Sequence, residues 1–224
     1  MQTSNVKPVR VGLVGYGWWG KIIAKQISNS NILKLIAVVE VDQSLLPQME
    51  SDVGLSGVKV LSNYEEFLKI SEMEAVILCT PHLQHADQII NAAHAGKHVF
   101  CEKPLCLTLS DAQRAIKSCA QHKLVLGIGH ERRFEPSVIS LRREIQEGVF
   151  GEILQIEANF SQDKFFALPR DNWRLSNKYA PVGPLTATGI HLVDLAIAVL
   201  GPADSVWARL ATRGSYFENG DTLG

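Results

Sequence analysis

The chain has 224 residues, 46% of them apolar and 20% charged, with 22 lysines and arginines against 23 aspartates and glutamates. That composition suits a compact globular chain of one large domain, or about one and a half of ordinary size, and excludes a disordered one. A net charge of −1 with no long basic run also excludes a surface that tracks nucleic-acid phosphates or binds an anionic membrane.

The start, Met1 to Arg10, is polar and leads straight into an apolar run, without the charged and apolar regions of a secretory signal. Val9–Val14, Leu35–Val39, Val58–Leu61, Ala75–Cys79, His98–Cys101 and Leu124–Ile128 read as strands. Between several of them Lys21–Ser28, His85–Ala95 and Ser110–His122 have helical spacing, with Ser110 as an N-cap and Gly96 as a C-cap. Strands alternating with helices predict parallel pairing through βαβ crossovers, hence a doubly wound α/β Rossmann sheet over residues 1–129. From residue 130 the pattern changes. Pro136–Gly148 reads as a helix, and Gly151–Phe160 alternates imperfectly, like a strand with one wet face. The Pro181–Pro184 loop precedes a helix, Gly189–Leu200, closed by Gly201-Pro202, and Val206–Ala211 reads as a further strand. Residues 130–224 thus predict a partial α+β domain with too few strands to cover a sheet. No apolar stretch approaches the length of a membrane span. Cys79, Cys101, Cys106 and Cys119 form no CxxC pair and read as reduced thiols of a cytoplasmic protein.

The sharpest local signal is Gly15-Tyr16-Gly17-Trp18-Trp19-Gly20, a G-x-G-x-x-G run between an apolar strand and a helix. In that setting Gly15 permits the tight turn, Gly17 lets backbone approach a pyrophosphate, and Gly20 lets the helix lie close to the strand. Glu40 follows about 20 residues beyond the last glycine, where a carboxylate accepts ribose hydroxyls and repels a 2′-phosphate. NAD is therefore expected over NADP, with Asp42 as the competing acid.

Cys101-Glu102-Lys103-Pro104 closes the fifth strand and Thr80-Pro81 the fourth, at the sheet end where open α/β folds bind ligands. Together with the glycine run, Gly129-His130-Glu131-Arg132-Arg133-Phe134-Glu135-Pro136 and Gly189-Ile190-His191-Leu192-Val193-Asp194, this resembles the glucose–fructose oxidoreductase/inositol dehydrogenase (Gfo/Idh/MocA) family from Val9 to about Arg213. The resemblance implies hydride transfer from a secondary alcohol of a sugar or cyclitol to a nicotinamide. It also implies further strands of an open antiparallel sheet beyond this chain, often a dimer face, so that the full-length form is a homo-oligomer. Lys103 and His191 are the expected catalytic pair. A hydroxyl losing hydride from its carbon needs a base, which an imidazole titrating at about 6.5 supplies, and an ammonium stabilises the developing alkoxide.

Asp194, three residues beyond His191, can orient that histidine from the same helix face. Glu102 is expected to position backbone or ribose. Thr80, Pro81 and His85, with His82, are expected on the cofactor edge; His82 and His85 have metal-like spacing, but no third ligand is evident, so no zinc is expected. Trp18 and Trp19 wall a nicotinamide pocket or pack between helix and sheet, and Trp173 and Arg174 fall in a loop that the resemblance places near substrate. One departure matters: the family pattern D-x-G-x-H meets Ala187 in place of its aspartate. Thr186 or Thr188 can replace its hydrogen bonding but not its charge, which predicts an altered substrate. Two alternatives stay open: a NAD-dependent glycoside-cleaving or epimerising relative, and a dinucleotide-binding protein without catalysis.

Overall fold

A computed structural model of the chain describes residues 7–52 and 55–224. Part of the polar start lies outside them. Two compact units result, residues 1–129 and 130–224.

In the first unit, six strands form one parallel sheet: β1 (Val9–Val14), β2 (Leu33–Val39), β3 (Lys59–Leu61), β4 (Ala75–Leu78), β5 (His98–Cys101) and β6 (Leu126–Ile128). Their order is β3-β2-β1-β4-β5-β6, so the chain reverses its direction of travel across the sheet between β1 and β4. Such a switch point opens a crevice at the carboxyl ends of the strands. The crossovers carry α1 (Trp18–Ser28), α2 (Leu46–Ser51), α3 (Tyr64–Leu68), α4 (His85–His94) and α5 (Leu109–Gln121).

The two-residue period of the strands sorts the core into two layers. Val11, Leu13, Val38 and Ile77 face Ala24, Ile27 and Met49 of α1 and α2. Val14, Ala37, Val39, Val76, Leu78, Val99 and Cys101 face Phe67, Ile89, Ala92, Ala93, Ala115 and Cys119 of α3, α4 and α5. Gly12 belongs to that second face, where a Cβ would sit 2.2 Å from Met73 Sδ and 2.4 Å from Phe67 Cζ.

Several element limits differ from expectation. α1 starts at Trp18, not Lys21, because Gly17 already has N-cap geometry (φ −69°, ψ −168°) and the last residues of the glycine run are helical. α5 is capped by Thr108, whose Oγ1 accepts the Asp111 N–H at 3.1 Å, and Ser110 lies inside the helix. Gly96, just past α4, takes φ +71°. All four cysteines are free thiols.

The second unit opens with a 3₁₀ turn, Glu131–Phe134, followed by α6 (Pro136–Gln146). Gly148 beyond it takes φ +77°. The expected strand Gly151–Phe160 is not formed: nothing among the described residues pairs with it, and Leu154 is 85% exposed. Periodicity supplies one face of a strand but not the neighbouring N–H and C=O groups that complete a ladder. The expected strand Val206–Ala211 shrinks to β7 (Leu210–Ala211), antiparallel to β8 (Thr222–Leu223). One turn of π-helix, Leu185–Gly189, runs directly into α7 (Ile190–Leu200). Among the described residues, no helix is long and apolar enough to cross a membrane.

Candidate functional site

The glycine run sits at the carboxyl end of β1, beside the switch point. Gly15 takes φ +90°, and a Cβ there would lie 2.9 Å from the Cys79 carbonyl oxygen after β4. Gly20 has less room, since its Cβ would fall 2.0 Å from the Gly15 carbonyl oxygen. Both glycines are thus demanded by the protein's own packing. Gly17 is different. Its φ is ordinary, and a Cβ would meet no atom within 4 Å. It caps α1 without a side-chain hydrogen bond, and no acidic residue occupies the first turn. Free N–H groups at the positive end of a helix, under backbone that carries no side chain, fit a pyrophosphate.

Glu40 follows β2 immediately. Its Oε2 accepts the Tyr16 N–H at 2.7 Å and its Oε1 accepts the Asp42 N–H at 3.1 Å, so the carboxylate joins the glycine turn to the end of β2. Asp42 is committed elsewhere: its Oδ1 caps a short turn through the Ser44 N–H (3.0 Å) and hydroxyl (2.6 Å), and these bonds lower its pKa. Tyr16 also donates its hydroxyl to Asp52 Oδ2 at 2.8 Å.

The ends of β4 and β5 carry the next group. The Glu102 N–H bonds the Leu78 carbonyl, continuing the ladder by one residue. Its carboxylate lies over Gly129, where a Cβ would come within 2.7 Å of Oε1, and Oε2 accepts the Lys103 N–H at 3.3 Å. Lys103 is half-buried, and its bond to Pro104 is cis. His85, expected on the cofactor edge, is completely buried and reaches backbone instead of solvent. Its ring nitrogens lie 2.8 Å from the Pro104 carbonyl oxygen and 3.0 Å from that of Thr80, so the ring ties the two turns together. Burial lowers its pKa. Thr80 donates its hydroxyl to Gln88. The ring of half-buried His82 is tilted against that of His85 at 5.9 Å. No group of three or more potential metal-ligating side chains occurs among the described residues.

The second unit brings two separate segments of the sequence together. His191, with its side chain 8% exposed, sits in the first turn of α7, and its Nε2 lies 3.8 Å from Glu131 Oε1. Asp194, expected to orient His191, is held instead by Arg133, whose Nε and Nη2 donate to its two oxygens at 2.7 and 2.6 Å. His130 stands edge-on to His191, ring centres 6.2 Å apart, with Nδ1 3.8 Å from Asp194. Glu131, Arg133 and His130 carried no assigned role in the sequence reading. The available signal was Asp194 itself, a carboxylate in the apolar helix Ile190–Leu200, which needs a cation once buried.

The weaker candidates have defined places. Trp18 is 69% exposed and Trp19 half-buried, the two rings tilted at 5.5 Å. The Arg174 guanidinium stacks 4.3 Å over the Trp173 ring, and burial lowers its pKa. The hydroxyls of Thr186 and Thr188 turn back on the carbonyls of Val182 and Pro184, at 3.4 and 3.1 Å, in the chain just before their π turn.

Residues 9–130 match the family model described as "Oxidoreductase family, NAD-binding Rossmann fold", and residues 138–223 match the GFO/IDH/MocA C-terminal domain. Inositol 2-dehydrogenase of Rhizobium meliloti (strain 1021) is 32% identical over 222 residues, covering 91% of this chain and 65% of the relative. The WlbA dehydrogenase of Bordetella pertussis, solved in complex with NADH and UDP-GlcNAcA, superposes with a TM-score of 0.87 at 27% identity, covering 97% of this chain and 62% of that one. Scyllo-inositol dehydrogenase of Lactobacillus casei, solved with NAD(H) and scyllo-inositol, gives 0.74 at 25% identity, covering 94% and 62%. This chain therefore spans less than two thirds of the length of each of these three. With the strand order, the glycine turn and both family models in agreement, the chain belongs to the Gfo/Idh/MocA oxidoreductase family.

Proposed function

We propose that this chain forms the dinucleotide-binding unit and part of the substrate unit of an NAD-dependent dehydrogenase that oxidises a secondary alcohol of a sugar or cyclitol. The observation that carries the reading is Gly17. Neither its φ nor protein packing calls for glycine, whereas a ligand phosphate lying against its backbone does. Beside it, Glu40 spends one N–H contact on each oxygen and keeps lone pairs for ribose hydroxyls, while its charge disfavours a 2′-phosphate. When bound, the dinucleotide supplies the hydride acceptor.

The chain supplies the proton chemistry. Lys103 donates to the substrate oxygen and stabilises alkoxide charge, and His191 takes the hydroxyl proton. Glu102 and His85 hold the turn that carries Lys103. The inositol dehydrogenases among the relatives support a polyol substrate. Ala187 and the inward-turned Thr186 and Thr188 support a substrate other than theirs. Four free thiols suit a reducing, cytoplasmic compartment.

Calorimetric titration with NAD⁺ and NADP⁺ tests the first step, and absence of heat with both refutes it. NADH formation across a polyol and sugar panel, with Lys103→Ala and His191→Ala as controls, tests the second. Turnover that survives both substitutions refutes the assigned pair. Product without net NADH selects the transient-oxidation alternative.

A further inference from the structure

From the geometry of the second unit we infer that Glu131 is the positioning carboxylate of His191 and the outlet for the proton that His191 collects. The inference rests on the reading of His191 as the base. A base buried to 8% exposure must pass its proton on before it can act again. A carboxylate stands at ion-pair distance from its ring: Glu131 Oε1 lies 3.8 Å from Nε2, and Glu131 is itself 45% exposed. The π turn leading into His191, Leu-Thr-Ala-Thr-Gly, contains no acid.

The charged groups around this pair fix it in place. Glu131 and Arg133 belong to one 3₁₀ turn, and Arg133 clamps both oxygens of Asp194 on α7. Asp194 lies three residues beyond His191 on that helix, so the clamp sets the turn against the helix and with it the spacing of Glu131 from the imidazole. His130, on the other side, meets Asp194 at 3.8 Å and the His191 ring edge-on. Asp194 is already committed to the Arg133 guanidinium, whereas Glu131 Oε1 faces both the His191 imidazole and, at 3.7 Å, the Nε of Arg132, a cation that Glu135 shares.

The alcohol loses its O–H proton to His191 and its C–H hydride to the nicotinamide, and the carbon–oxygen single bond becomes a carbonyl. The imidazolium so formed is stabilised by the Glu131 carboxylate. One bridging water, or a small side-chain rotation, closes the 3.8 Å gap for the proton to leave through Glu131 to solvent.

The test reads His191 directly, in the chain without cofactor. Histidine is ¹³C-labelled, the His191 signal among seven is assigned by its loss in His191→Gln, and its titration is followed by NMR. Removing an opposite charge lowers an imidazole pKa. Glu131→Gln is therefore expected to move the His191 midpoint down by about one unit, Glu131→Asp by less, and exposed Glu152→Gln not at all. An unmoved midpoint in Glu131→Gln overturns the pairing. With NAD⁺ and the polyol or sugar of the panel that yields most NADH, the acid limb of the pH–rate profile is expected to follow the same downward shift. Turnover intact in His191→Gln defeats the base assignment separately, since the NMR shift does not depend on turnover.

Discussion

Alanine substitutions at Gly17 and Gly20 separate ligand binding from folding within one turn of chain. At Gly20 the added methyl carbon falls 2.0 Å from the Gly15 carbonyl oxygen, about 1 Å inside the closest approach real side chains make. Gly15 cannot yield, because its φ of +90° and its N–H bond to the Val39 carbonyl at 2.9 Å already fix the turn. Helix α1 must lift from the sheet, an overpacking cost of about 1–3 kcal/mol. For a chain of this length that lowers Tm by roughly 2–4 °C per kcal/mol, so about 2–12 °C for Gly20→Ala. At Gly17 the methyl meets no protein atom and φ is already suited to alanine. The remaining cost is a poorer N-cap, about 0.5–1 kcal/mol, or a few degrees. Dinucleotide affinity is expected to order the variants the other way for their stability: Gly17→Ala keeps its fold and loses at least about tenfold in NAD⁺ affinity, roughly 1.4 kcal/mol. Thermal unfolding and calorimetry on the same preparations read both quantities. Wild-type NAD⁺ affinity in a folded Gly17→Ala variant refutes the phosphate cradle, and an unshifted Tm in Gly20→Ala refutes the helix–turn packing.

Replacing Glu40 by serine removes an acceptor from the Tyr16 and Asp42 N–H groups and the charge that repels a 2′-phosphate. The ratio of NADP⁺ to NAD⁺ affinity is expected to rise by about tenfold or more, as competition titrations will show. Val182, a β-branched residue at φ +53°, is strained in the loop before the π turn. Val182→Gly is expected to raise Tm by a few degrees, the relief of about 1–2 kcal/mol exceeding the entropy lost to glycine. Asp221 accepts the N–H groups of Arg213, Gly214 and Ser215, which hold its pKa below the ordinary range. Its contribution to stability is present above the unfolded carboxylate pKa of about 3.9 and is lost as pH falls through the lower folded value. Amide exchange in the loop between β7 and β8 is expected to quicken only in strong acid, whereas Asp221→Asn quickens it at neutral pH. Burial pushes the Cys106 thiol up to about 11. Its alkylation near about pH 8 is therefore expected to run roughly a hundredfold slower than that of free cysteine, measured by mass spectrometry.

The first unit was legible because its determinants are local. Each strand from β1 to β6 is a short β-branched or apolar run, and the register follows from alternation: once Val11 and Leu13 face α1, Gly12 and Val14 must face Phe67 and its neighbours. What escaped was equally physical. Gly12 reads as an ordinary strand glycine until Met73 and Phe67 are placed above it. The start of α1 was hidden because two tryptophans and a glycine carry no helical periodicity. In the second unit, the isoleucines of Gly151–Phe160 predict a pleated strand, but a strand exists only where another offers its backbone, and that pairing lies beyond any single segment's pattern.

The candidate site divides along the same line. The sequence proposes Gly15, Gly17, Gly20, Glu40 and Lys103 because ligand-binding ends of parallel strands recur at fixed offsets from the strands themselves. The neighbours of His191 could not, since they arise from packing one turn against one helix. Read as a string, Asp194 is the obvious partner of His191, three residues away on the same helix. Energetically it is the wrong choice. A carboxylate reduced to 10% exposure needs a bidentate cation more than it needs a neutral imidazole, and Arg133 supplies two short bonds. That commitment leaves the half-exposed Glu131 to face the histidine; its own guanidinium neighbour, Arg132, stands off at 3.7 Å, so this acid keeps the path to water that the bidentate clamp closes for Asp194.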